Sequence, residues 1–293
     1  MAREESPFKR LLSDFAANPT AVFGLILLGI IFVAALAAPL ISPQNPYDLA
    51  QLDVESGRLP PGSTSDTGAT FWLGTDDQGR DMLSAIFYGL RISLAVGITS
   101  TVVALAIGLA LGLAAAYIGG RTETVIMRIA DIQLSFPAIL IALILLAVLG
   151  QGTLKIIVAL VTVQWAYYAR TVRSAALVEK RKEYVEAARC LALSPQRIVF
   201  RHILPNCLPP LIVVGTVQVA AAIALEATLS FLGLGLPITE PSLGLLIANG
   251  YQYLLSGKYW ISFFPGVALL LTIVSINLVA DQLRDVLNPR FQQ

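Results

Sequence analysis

The feature that most constrains this chain is the run from Pro19 to Pro43, which carries no charged residue. A bilayer-spanning helix needs about 20 apolar residues, because the hydrocarbon layer is about 30 Å thick and a helix rises about 1.5 Å per residue. Ala35-Leu-Ala37 imitates a leader-peptide cleavage site. The apolar region of a leader is only about 7–15 residues long, so the run reads as an uncleaved first span. Similar runs predict spans near 86–117, 124–149, 154–177, 208–235 and 261–283. Charged residues make up 13% of the chain and the mean hydropathy is +0.74, whereas soluble domains are about a quarter charged. The expectation is an all-α integral membrane protein with six transmembrane helices.

Six spans leave both termini on one side. All Lys and Arg residues except Arg58, Arg80, Arg91, Lys155 and Lys258 then fall on the side of the termini. Positive charge marks the cytoplasmic face. The division expected is a cytoplasmic segment 1–18, helical at the inner membrane surface, a first span 19–42 and an acidic extracytoplasmic loop 43–85. A core of five spans, 86–287, follows with a cytoplasmic loop at 180–206, and a tail 288–293 ends the chain.

The longest polar, helix-competent stretch is Glu183–Asn206. It reads as two short amphipathic helices, the first over Lys182–Ala192 with Tyr184, Ala187, Ala188 and Leu191 on one face. Ser194 suits an N-cap and Pro195 the first helical position, and the second helix is expected to stop at Pro205. Ala187 and Ala188 have so little side chain that another surface can approach the backbone closely. The stretch has the properties of a docking lever.

Several chemistries lack their residues. The chain has no G-x-x-x-x-G-K-[ST] and no H-E-x-x-H, and its one histidine, His202, has no ligand cluster around it in sequence. ATP hydrolysis, metal binding and nucleophilic catalysis are therefore not expected. Cys190 and Cys207 flank a cytoplasmic segment and are expected as thiols. Polar residues inside the spans are few: Asp131, Gln133, Gln164, Gln218, Glu226 and Asn277. A charge near the bilayer centre costs about 2.5–3.5 kcal/mol or more, so such groups face the protein interior or water. Glu226 either lines a solute path with Gln164, Gln218 and Asn277, or makes an inter-helix contact with those amides. Gly108 and Gly112 form a pair that permits close helix packing.

Glu186-Ala-Ala188 followed by Ile203-Leu-Pro205 resembles the Glu-Ala-Ala cytoplasmic loop of ABC importer permeases, with Ala192 where that pattern has Gly. Leu73-Gly-Thr-Asp76, Gly79-Arg-Asp81, Tyr88-Gly89 and Ser93-Leu94 are similar to the block before the second span in dipeptide, oligopeptide and nickel permeases. Glu226-Ala-Thr-Leu-Ser-Phe-Leu-Gly-Leu-Gly235 and Phe264-Pro-Gly266 resemble two further blocks of that family. The extra first span and the long outer loop resemble the second, C-type permease of the pair. The resemblance implies a type I ABC importer permease fold, a partner permease, two ATPase subunits that bind ATP and Mg in place of this chain, and an external solute-binding protein. It implies ATPase coupling through Tyr184, Glu186, Ala187, Ala188, Ala192, Ser194, Arg197, Arg201 and Pro205. Receptor docking would involve Asp76, Asp77, Arg80 and Asp81, and a loop solvated without a partner is the other reading of those charges. Alanine is less suited than glycine to a left-handed turn, so the bend at Ala192 is expected to be gentler or shifted to Leu193-Ser-Pro195. Short peptides, a nickel chelate or a glutathione-like peptide all fit as solute. A stand-alone secondary transporter or channel is the competing class.

Overall fold

The computed structural model describes residues 7–48, 52–65, 68, 70–240 and 242–287, with side chains from residue 12 onward. The first six residues and the tail 288–293 lie outside the described residues. The chain is helical almost throughout, and its one described sheet is a small hairpin of β1 (Ser63–Thr64) and β2 (Thr70–Phe71) in the outer loop.

Helix α1 (Pro7–Ala16) is followed by α2 (Pro19–Ile41), the first expected span. Asn18 caps α2 by accepting from the Thr20 amide at 3.0 Å, and Pro19 occupies the first helical position. Asn18 Nδ2 also donates to Gln282 Oε1 at 2.7 Å, and Gln282 Nε2 donates to the Asp14 carbonyl at 3.0 Å. These bonds tie the α1–α2 corner to the last helix, α11 (Trp260–Leu287).

Helix α3 (Met82–Ile118) has 37 residues, so it is about 55 Å long and exceeds the hydrocarbon thickness. It starts four residues before the expected span, because Asp81 caps it: Oδ2 accepts from the Ser84 amide at 2.8 Å and from Ser84 Oγ at 2.6 Å. Helix α3 packs closely on α6 (Thr153–Glu179) at Gly108 and Gly112. A Cβ on Gly108 would lie 2.6 Å from the Trp165 carbonyl oxygen, and one on Gly112 2.6 Å from that of Ala169. The glycine pair makes the close approach that its spacing predicts.

The third expected span, 124–149, is two helices, α4 (Gly120–Leu134) and α5 (Ala138–Leu149), bent by 91°. Pro137 disfavours the helical conformation at Phe136 and carries no amide hydrogen, which favours the break found here. Helix α9 (Leu204–Phe231) forms the fifth expected span. Within 236–260 a short helix, α10 (Leu243–Tyr251), packs against α9 so closely that a Cβ on Gly244 would lie 2.4 Å from Ala227 Cα. Four helical stretches among the described residues are long and apolar enough to cross a membrane: α2, α3, Pro195–Phe231 and α11. Helices α4 and α5 add a fifth if the bent pair is one span.

Candidate functional site

The segment between α6 and α9 contains α7 (Glu183–Cys190), α8 (Pro195–Ile198) and a π-helical turn at Val199–Ile203 that runs straight into α9. The second helix therefore does not stop at Pro205. A proline ring in a regular helix collides with the carbonyl four residues back; here a wider turn precedes it, with the Leu204 amide bonded to the Val199 carbonyl. Asn206 Nδ2 donates to the His202 carbonyl at 2.8 Å, compensating part of the broken ladder.

Ala192 does adopt the left-handed conformation, at φ 54°. The Leu193 amide bonds to the Ala188 carbonyl at 3.2 Å and the Ala192 amide to that of Arg189 at 2.9 Å, the bonding pattern of a Schellman cap. The bend stays at Ala192, contrary to the expectation that it would soften or move. Two backbone hydrogen bonds and the packing of Leu193 hold a conformation that alanine alone disfavours.

Helix α7 buries Val185 and Ala188 and turns Tyr184, Ala187 and Leu191 outward. Leu191 is 74% exposed and Phe200, on the following turn, 64%. The face expected to be a single apolar stripe is divided: Ala188 anchors the helix, and the rest is uncovered. Glu186, Arg197 and Arg201 are exposed around this apolar patch, and Ser194 caps α8 through the Arg197 amide. Phe200 was missed in the sequence, since its position in the π-helical turn follows no regular period. The Tyr184 hydroxyl donates to Glu179 at the end of α6 and accepts from Asn206 Nδ2 at 3.1 Å. Partial burial and the Glu179 carboxylate push the phenol up to about 12, so it stays a neutral donor. Lys180 Nζ bonds to the Ala116 and Tyr117 carbonyls at 2.9 and 3.0 Å and so fastens the segment to the end of α3.

Of the four path candidates only Gln164 and Gln218 are brought together. Glu226 is wholly buried, with Oε2 accepting from Ser93 Oγ at 3.0 Å and Oε1 from Ser230 Oγ at 2.8 Å. The Ser242 side chain, which caps α10 by accepting from the Leu245 amide at 3.2 Å, lies beside the same carboxylate. The carboxylate thus joins α3 and α9 through Ser93 and Ser230, and among the described hydrogen bonds it makes none to the amides of Gln164, Gln218 or Asn277. Ser230 lies in the same family-like block as Glu226 and Ser93 in the separate block before the second span, which was the available signal. Gln164 is buried and donates to the Gln218 carbonyl at 3.1 Å. Gln218 lines a cleft of about 780 Å³ that also meets Tyr167, Asn206, Asp281 and Arg284. Asn277 is exposed and lies outside that cleft.

Of the outer charges, Asp76, Arg80 and Asp81 are buried and Asp77 is half-buried. They build the loop: Asp76 Oδ1 accepts from the amides of Gln78 and Arg80, both at 2.9 Å, and Arg80 Nη2 donates to the Ile238 carbonyl at 2.8 Å. Burial pushes the Asp76 carboxyl up to about 6, against the pull of those amides and of the Arg80 guanidinium. These side chains therefore do not form an outward charged surface. Elsewhere the loop exposes the charges of Asp53, Glu55 and Arg58 and the apolar side chains of Val54 and Trp72, the last two at 75% and 69%. Trp260 Nε1, at the start of α11, donates to the Thr75 carbonyl at 3.1 Å and holds the loop down.

A bundle of long apolar helices with an uncovered polar segment between two of them defines a membrane-embedded protein. The chain belongs to the family of binding-protein-dependent transport system inner membrane components, which matches residues 108–293, and residues 6–61 match the N-terminal TM domain of oligopeptide transport permease C. It is a C-type permease subunit of the ABC importers. The di/tripeptide transport system permease protein DppC of Pseudomonas aeruginosa is 37% identical over 98% of this chain and 93% of its own length. The dipeptide permease DppC of Escherichia coli is 38% identical over 98% and 95%, and the oligopeptide permease OppC of Bacillus subtilis 36% identical over 98% and 91%. Among solved structures, an inward-facing MetNI methionine ABC transporter chain is similar in fold, with a TM-score of 0.59 at 21% identity, over 71% of this chain and 98% of that one.

Proposed function

We propose that this chain forms half of the translocation pathway of an ATP-driven importer of short peptides in the bacterial cytoplasmic membrane, with six spans and both termini in the cytoplasm. The observation that carries the coupling part is the uncovered face of Tyr184, Ala187 and Leu191 with Phe200, on a segment continuous with α9 and bonded to the ends of α3 and α6. Such a face excludes water only when a partner covers it. The partner proposed is an ATPase subunit, one of two that hold ATP and Mg. A push on α7 would reach α6 through Tyr184–Glu179, α3 through Lys180, and α9 through the π-helical turn. A second permease would complete the path, of which the cleft at Gln218 is one wall, and an external solute-binding protein would deliver the peptide to the outer loop. The relatives, di/tripeptide, dipeptide and oligopeptide permeases, support peptide as the solute.

The test uses the chain reconstituted with its ATPase, permease and receptor partners, measuring dipeptide uptake and ATPase co-purification together. Ala187→Trp is expected to abolish both while membrane insertion and melting temperature stay unchanged. Normal uptake by that variant would refute the coupling role.

A further inference from the structure

Helices α4 and α6 frame a polar groove of about 590 Å³ that none of these roles uses. Its walls include Glu123, Arg128 and Asp131 from α4 and Arg170, Arg173 and Ser174 from α6. Both carboxylates are engaged, Glu123 by Arg173 and Asp131 by Arg170, the latter at 2.6 Å. Arg128 is exposed and in no ion pair among the described residues. Three guanidinium groups against two carboxylates leave one positive charge in excess. A guanidinium has five donors, so Arg170 and Arg173 keep N–H groups beyond those used on the carboxylates. The Ser174 hydroxyl lines the same groove. This donor set suits a phosphate group.

The other edge of α4 is apolar and uncovered: Val125, Ile129 and Ile132 are 57%, 53% and 61% exposed, at helical spacing beside Arg128. Of the residues of α4 only Ala130 is buried. A helix with a basic polar face and an apolar stripe fits the membrane interface. The groove lies at the same end of the bundle as the coupling segment, since Lys180 bonds to carbonyls of the last turn of α3, just before α4 begins. Basic pockets between spanning helices on the cytoplasmic side take anionic lipid headgroups.

We propose that this groove binds the phosphate of an anionic phospholipid, with Arg128 and the spare N–H groups of Arg170 and Arg173 as donors and the acyl chains along Val125, Ile129 and Ile132. Only the choice of the inner leaflet rests on the orientation given under the proposed function; the groove itself does not depend on transport.

The experiment uses the full chain purified with its partner subunits, titrated with phosphatidylglycerol, phosphatidylcholine or inorganic phosphate, and read by native mass spectrometry and thermal melting. Phosphatidylglycerol is expected to be retained and to raise the melting temperature, and phosphatidylcholine to do neither. Arg128→Gln, which disturbs no ion pair, is expected to weaken phosphatidylglycerol retention about fivefold with an unchanged elution profile, and Arg128→Lys to keep most of it. Equal retention of both lipids, or no loss in Arg128→Gln, would overturn the proposal. A full shift from inorganic phosphate alone would replace the lipid by a free anion. Cross-linking of Arg128→Cys to a second permease across the groove would replace it by a subunit interface.

Discussion

The outer segment around Asp76–Asp81 and the inner segment Glu183–Asn206 both read as charged motifs facing water, and the fold treats them in opposite ways. In the loop between α2 and α3, Asp76, Arg80 and Asp81 are buried, bonded to backbone amides, to the Ile238 carbonyl and to the first turn of α3. In the segment between α6 and α9, the charges of Glu186, Arg197 and Arg201 stay in solvent and apolar Leu191 and Phe200 stand beside them uncovered. Within the outer motif Asp76 Oδ1, Arg80 Nη2 and Asp81 Oδ2 find partners in the chain, while Asp76 Oδ2, Asp77 Oδ1, Arg80 Nε and Arg80 Nη1 are buried without a hydrogen-bond partner, so the motif is anchored without being fully satisfied. The uncovered apolar face is the surface that the proposed ATPase contact would cover. A charged motif is thus no guide to a docking surface until burial is known.

The largest effect that would break this contrast is expected at Arg80. Arg80→Met leaves Asp76 buried without its cation and removes the bond to Ile238, a loss of about 3 kcal/mol by thermal or denaturant unfolding. Adding Asp76→Asn, which keeps the amide-accepting oxygen, should restore much of it. A tolerant Arg80→Met would show that the outer loop is not held by its charges. The second test is pH. The folded Asp76 carboxyl, at about 6, lies above its ordinary 3.8. Its contribution is therefore full below about pH 4 and is lost as pH rises through 6. Wild type compared with Asp76→Asn from pH 4 to 7 should isolate that slope, and parallel curves would remove Asp76 from the account.

Smaller effects sharpen the comparison. Glu226→Leu strips the Ser93 and Ser230 hydroxyls of their acceptor and should lower stability by about 1–3 kcal/mol. If uptake falls while melting is unchanged, Glu226 acts on the solute path instead of joining helices. Smallest is Ala192→Gly, expected to stabilise by about 1 kcal/mol through relief of the left-handed alanine, with uptake retained. A loss of stability there would mean that the Schellman hydrogen bonds do not depend on that conformation.

Chain-local signals made much of this protein legible. Apolar runs located α2, α3, α9 and α11; Ser194-Pro195 announced α8; Gly108 and Gly112 announced the α3–α6 approach. They are legible because hydrophobic length, caps and glycine spacing act over one helix. The partners of Glu226, the inward turn of Arg80, the 91° break at Pro137 and the continuity of α8 into α9 were not. Each depends on which distant backbone or hydroxyl lies within hydrogen-bond reach: Ser93 is 133 residues from Glu226, and Ile238 158 from Arg80. The sequence by itself determined a membrane-spanning permease of a known family with a lever at one end. Only the tertiary structure decided which polar groups complete the fold and which face remains open, because burial follows from packing between helices far apart in the chain.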